Sequence, residues 1–218
     1  MLLSISDIYK KYTIPPDLQL HMLRTAAIAQ TISESFSGVY AHHIVSAMLL
    51  HDMGNIIKFD LTKLPELLEP EGVNYWRGVQ ESFIDRYGTN EHRATEAIAL
   101  EIGVQKEVYE LIEGWSGFPN LKEITHSPHV ALWICAYSDL RVAPYGIVSL
   151  EARLAEGRAR YATHPKAFSL EQWDFLAREA YALEEKLFKG ITLRPEDISE
   201  EALTEKIKAL FDFQIEVQ

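Results

Sequence analysis

One stretch, residues 40–59 (YAHHIVSAMLLHDMGNIIKF), restricts what this chain can fold into more than any other. Ile44, Val45, Ala47, Met48, Leu49 and Leu50 make it apolar round nearly its whole circumference. A surface helix keeps a polar stripe, so the spacing predicts a helix buried at the centre of a bundle. His51 and Asp52 stand side by side in its last turn, just before Gly54, which is expected to end it. Burying such groups without partners costs roughly 2–7 kcal/mol for a neutral polar group and more for a charge. Two arrangements satisfy them equally well. A divalent cation takes neutral nitrogen from one and anionic oxygen from the other; a core His–Asp hydrogen bond does so without metal.

The remaining chain reads as helices separated by breakers. Short helix 6–11 precedes Pro15-Pro16, and Asp17 caps a longer helix over 18–36 with apolar residues at helical spacing (Leu20, Leu23, Ala27, Ile28, Ile32). Pro65 and Pro70 interrupt 55–72. Helices are expected over 74–87, 91–102 (capped by Thr89 or Asn90, stopped by Gly103) and 104–113, then a turn-rich GWSGFPN link. A second strongly apolar helix spans 129–142, with Pro128 at its first turn. Three amphipathic stretches, 150–161, 170–188 and 199–213, close the sequence. Strand patterns are nearly absent. The fold expected is all-α: a helical core within residues 1–150, centred on about 17–145, and a C-terminal helical extension, 151–218, packed on that core or on a partner.

Composition narrows the function classes. A net charge of -11 with no basic stripe disfavours long nucleic acid, while a small nucleotide can still enter a locally positive pocket. Cys135 is the only cysteine, which excludes an intrachain disulfide and suits a reducing compartment. The N-terminal MLLSISDIYKKY lacks a basic leader and a long apolar core, and no run of about 18 uncharged apolar residues occurs. The expectation is a cytoplasmic protein with no membrane partner, its self-association left open.

Four side chains then stand out: His21 in the first long helix, His51 and Asp52 ending the central one, and Asp139 near the end of the second apolar helix. An aspartate on an apolar helix is unusual unless paired or metal-bound. Three buried helices would close two imidazoles and two carboxylates round one cation, a mixed N/O set suiting Mn, Fe, Co, Zn or Mg. The segments HMLR at His21, LLHDMGN at His51-Asp52 and AYSDLRVAPYG at Asp139 resemble the HD-domain superfamily of metal-dependent phosphohydrolases. NEHRATEAIALEIG at His92 is similar to a helix that many members carry. The likeness covers roughly 17–150 and leaves the C-terminal third unexplained.

That resemblance implies an HD-domain helical bundle. It makes His21, His51, Asp52 and Asp139 the metal ligands, and the chemistry the hydrolysis of a phosphate ester, often of a nucleotide. A bound cation lowers a water's pKa toward about 7 and polarises a phosphoryl oxygen. Asp52 would also take the attacking water. Arg24, one turn after His21, would either balance charge on a phosphate or form a salt bridge. Asn55 departs from the family, many of whose members place Lys or Glu there; an amide hydrogen-bonds but moves no proton near neutral pH. Lys58 is a weak substitute. One metal per chain is favoured, with His92 lining the phosphate pocket; a second would rely on His92 with Glu113, or on His126 or His129. His42 and His43 are expected at the core edge. Trp76, Trp133 and Trp173 are expected to pack, and Trp115 either packs or stacks on a base.

The leading expectation is thus a phosphohydrolase taking a small phosphorylated metabolite. Its alternative is a binding or regulatory module that senses a nucleotide or other phosphorylated ligand with little turnover, motivated by Asn55. A di-iron oxygenase on the same scaffold would need a richer ligand set than this chain offers.

Overall fold

A computed structural model describes residues 1–115, 117–162 and 168–218. Among them the regular structure is eleven α-helices and four strands of two or three residues, so the chain is all-α. It enters through β1 (Leu2–Ser4) and α1 (Ile5–Lys11). α2 (Pro16–Ser33) begins with proline in its first turn, where no intrahelical N–H is needed. α3 (Ala41–Leu50) is the expected central helix, with every residue from Ile44 to Leu50 buried. It stops earlier than the sequence predicts. A tight turn carries His51 to Gly54, and a 3₁₀ turn, Asn55–Lys58, follows.

α4 (Gly72–Tyr87) lies on the outside, holding only Trp76 and Phe83 in the core. α5 (Glu91–Ile102) is capped by Asn90, which accepts a hydrogen bond from the Arg93 N–H, and ends on Gly103 in the left-handed region (φ 79°). α6 (Lys106–Gly114) packs on α3. Ser116, in the expected turn after it, lies outside the described residues. α7 (Leu121–His126) is a short helix that the sequence reading passes over. α8 (Val130–Asp139) is the second apolar helix, buried over its C-terminal half. A small hairpin of β2 (Val142–Ala143) and β3 (Gly146–Ile147) follows. α9 (Leu150–Tyr161), α10 (Leu170–Phe188), α11 (Glu200–Ala209) and β4 (Gln214–Glu216) complete the chain.

α2, α3 and α8 pack against one another at the centre, and the C-terminal third encloses them. α10 lies on α7 and α8, α11 on α2, and β4 pairs antiparallel with β1 (Leu2 opposite Glu216, Ser4 opposite Gln214). Arg141, 3% exposed, fastens this arrangement. Its guanidinium donates to the Val148, Pro195 and Ile198 carbonyls and to Tyr137 Oη, which donates in turn to Glu184. A buried guanidinium is tolerable because its donors are satisfied. The C-terminal helices thus pack against α2, α7 and α8. None of the described helices is long and apolar enough to cross a membrane.

Candidate metal centre

The ends of α3 and α8 meet the side of α2, and that convergence brings four side chains together. His21 comes from α2, His51 caps α3, Asp52 follows it, and Asp139 is the last residue of α8. His21 Nε2 lies 3.2 Å from Asp139 Oδ1 and 3.5 Å from Asp52 Oδ2. His51 Nε2 lies 3.6 Å from Asp139 Oδ1 and 3.7 Å from Asp52 Oδ1. His21, His51 and Asp139 each present one ligand atom, all within 4.8 Å of one another. Asp52 falls outside that tighter set while staying within 3.7 Å of each imidazole.

The cluster's geometry fits a shared cation as well as direct His–Asp pairing. Both Nε2 atoms are buried, and although the carboxylates are near, neither nitrogen has a hydrogen-bond partner. Buried polar atoms are rarely left so. The other ring nitrogen of His51, Nδ1, is 2.8 Å from the Met48 carbonyl oxygen. It donates there, which leaves Nε2 of the neutral ring as a lone pair pointing into the cluster. Tetrahedral bonds of about 2.0–2.2 Å imply ligand–ligand edges of roughly 3.3–3.6 Å, close to the spacings found. Without a cation the same proximity shows up as charge. Burial alone would lower the His51 imidazole, but Asp52 and Asp139 push it up to about 9. Burial likewise works against the Asp139 carboxylate, yet the two imidazoles beside it hold its carboxyl well below the usual range.

The turn bearing His51 and Asp52 is fixed by Gly54, though not as a helix stop in the left-handed region. Its φ of -91° is open to any residue. What demands glycine is space: a Cβ there would lie 2.3 Å from the Glu91 carbonyl oxygen and 2.7 Å from Ala94 Cβ. The Gly54 N–H also donates to Thr95 Oγ1 at 2.9 Å, locking the turn onto α5.

The cluster floors a cleft of about 1110 Å³. Asn55, 5% exposed, lines it, as do Lys58 and His92. Lys58 Nζ and His92 Nε2 each lie 3.6 Å from Glu91 Oε1. Arg24 does not join: it forms a bidentate bridge to Glu200 on α11, Nε standing 2.9 and 3.0 Å from the two oxygens. The salt-bridge reading of that residue is the one observed. Glu113 is exposed and away from the cleft, so it gives His92 no partner for a second metal; among the described residues His21, His51 and Asp139 make the one such group. His126 and His129 are exposed, the former 3.3 Å from Glu179. His42 and His43 are half-buried at the core edge, their rings beside Gln214 O and Gln105 Oε1.

Two contributions escape sequence reasoning. Trp115, 5% exposed at the end of α6, donates its indole N–H to Asp139 Oδ2 at 3.1 Å. Its place directly after Gly114 is the only trace in the sequence: a Cβ at that glycine would lie 2.8 Å from Leu132 of α8, so the helices approach closely there. The second is the far wall of the cleft, where Arg153, Arg160 and Trp173 come from α9 and α10. No local pattern marks those residues as lining the cleft.

No family model matches the chain, and no curated protein or solved structure matches it either.

Proposed function

We propose that this chain is a metal-dependent phosphohydrolase of the HD-domain type, hydrolysing a phosphate ester of a small metabolite, with a nucleotide as the leading class. One observation carries the reading: two buried imidazole Nε2 atoms without hydrogen-bond partners face the carboxylates of Asp52 and Asp139. His21, His51, Asp52 and Asp139 would hold one divalent cation (Mn, Fe, Co, Zn or Mg). When bound, the cation supplies Lewis acidity toward a phosphoryl oxygen and a water of lowered pKa.

The chain's own groups do the rest. Asp52 accepts the attacking water's proton on a carboxylate oxygen as that water's oxygen bonds to phosphorus. The ester P–O bond breaks and its leaving oxygen takes up a proton from solvent water. Asn55 orients a water or a phosphate oxygen through its amide and moves no proton. His92 and Lys58 line the phosphate pocket beside Glu91. The cleft is large enough for more than a phosphate, which suits a small metabolite as its occupant. The lone Cys135 suits a reducing, cytoplasmic setting.

A second reading, a phosphorylated-ligand sensor with little turnover, is favoured by Asn55 where an acid or base would serve and by Lys58 being drawn to Glu91. Elemental analysis followed by a panel of nucleotides and phosphomonoesters with added Mn or Co separates the two. About one metal per chain, with release of inorganic phosphate that His21→Ala and Asp139→Ala both abolish, is the expected result. Metal and nucleotide binding without phosphate release selects the sensor; protein that takes up no cation and releases no phosphate overturns both.

A further inference from the structure

We infer that Trp115 is a positioning residue for the metal centre, holding Asp139 so that it offers a single oxygen to the cation. The inference rests on the metal-centre reading above and goes beyond it. The two oxygens of Asp139 have divided roles. Oδ1 faces both imidazoles, 3.2 Å from His21 Nε2 and 3.6 Å from His51 Nε2. Oδ2 accepts the Trp115 indole N–H at 3.1 Å. An indole donates and never accepts, so it cannot compete as a ligand and favours the ionised carboxylate. A carboxylate left to itself could swing both oxygens onto a cation; one anchored through Oδ2 cannot without giving up a buried hydrogen bond.

Trp115 can act as an anchor because it is itself held. Its backbone N–H donates to Leu111 O at 3.2 Å, and Asn120 Nδ2 donates to Gly114 O at 2.6 Å. Gly114 brings the end of α6 against Leu132 of α8, the helix that bears Asp139. The ring is 5% exposed, with its N–H edge committed. That arrangement suits a fixed strut and does not suit a surface for stacking a base.

Trp115→Phe keeps an aromatic ring and deletes the donor. Purified wild type and variant are stripped of metal, then titrated with Zn(II) for affinity and with Co(II) for its visible absorption, unfolding midpoints being measured alongside. The variant is expected to bind Zn(II) about 10–100-fold more weakly, with Co(II) bands shifted in position and intensity as the carboxylate changes its mode. A purely structural tryptophan would lower the midpoint and leave the bands unmoved. ¹H–¹⁵N spectra of the wild type, which has four tryptophans, follow the Trp115 indole signal, assigned by its absence from the variant. That signal should move in step with one equivalent of Zn(II).

Equal affinity and identical Co(II) bands in the variant, or a Trp115 indole signal that stays still while wild type binds Zn(II), overturn the role of Trp115 and leave the metal centre standing. A wild type that binds neither ion overturns the centre, and this inference with it.

Discussion

His51 Nδ1 donates to the Met48 carbonyl at 2.8 Å, one turn back along the same helix, and the whole character of the centre follows from it. With that nitrogen committed to the backbone, the imidazole can meet the cluster only through Nε2. On the proposed reading, proton and cation would therefore compete for one lone pair.

The competition gives different pH slopes with and without metal. Asp52 and Asp139 raise His51 from 6.5 to about 9, against the effect of burial. A folded-state pKa above the unfolded one contributes stability that is complete below about 6.5 and is lost as pH rises through about 9. In chelator, the melting temperature should fall over that window. With saturating Zn(II) or Mn(II) it should stay level over that window, because the gain in apparent affinity, up to about tenfold per pH unit from this proton alone, offsets the stability that the metal-free fold loses. On the acid side the sign reverses for Asp139, whose lowered carboxyl contributes stability above 3.8 that is lost as pH falls. Melting curves from pH 5 to 9.5 in both conditions decide the matter, and parallel slopes would remove His51 from the ligand set.

Gly54→Ala should cost about 3 kcal/mol and most of the metal affinity. The added Cβ would meet a backbone oxygen at 2.3 Å and a backbone nitrogen at 2.9 Å, neither of which can step aside as a flexible side chain would. Relief requires α5 or the 51–54 turn to shift, and that turn carries two of the four candidate ligands. Urea unfolding and metal stoichiometry measure the two effects. A variant within about 0.5 kcal/mol of wild type would mean that the turn is not seated against Glu91 and Ala94.

How legible this site is in the sequence depends on the reach of each signal. The burial of α3 is written in its unbroken apolar residues, and His51-Asp52 stands out against them because a polar pair there is costly. Asp139 is visible for the same reason on α8. Arg24 is not, because its partner Glu200 is 176 residues away and helical spacing alone cannot tell a phosphate from a distant carboxylate. Gly54 is misread because a glycine needed for space and one needed for φ look alike in a sequence. β1 and β4 are three residues each, too short to display a period of two, and they pair across nearly the full chain. The cleft's far wall is hidden in helices whose amphipathic pattern says only that one face is buried.

Cys135 should be inert in the native protein. It is 1% exposed on α8, four residues before Asp139, and burial pushes its thiol up to about 12. The thiolate is the reactive form, so a chromogenic disulfide reagent at pH 8 should find almost none. The same reagent in guanidinium should titrate one thiol per chain. Rapid labelling of the native, folded protein would show that the core round α8 opens far more readily than its packing implies.

Arg24 gives the sharpest separation of stability from chemistry. Its side chain is 11% exposed, its Nε and Nη2 both reach Glu200, and Glu200 Oε2 also accepts the Ile147 N–H at 2.9 Å. That bridge ties α11 to α2, the helix that carries His21. The pair is bidentate, but the Glu200 side chain is 42% exposed and screened by solvent, so it should couple by about 0.5–1 kcal/mol in a double-mutant cycle of Arg24→Met and Glu200→Gln. The single Arg24→Met variant should lose about that much stability while binding metal at wild-type stoichiometry. Its KM for whichever phosphoester is turned over should stay within about threefold of wild type. A large rise in KM without loss of stability would instead put the guanidinium on the substrate, and the bridge to Glu200 would then be a resting arrangement that the substrate displaces.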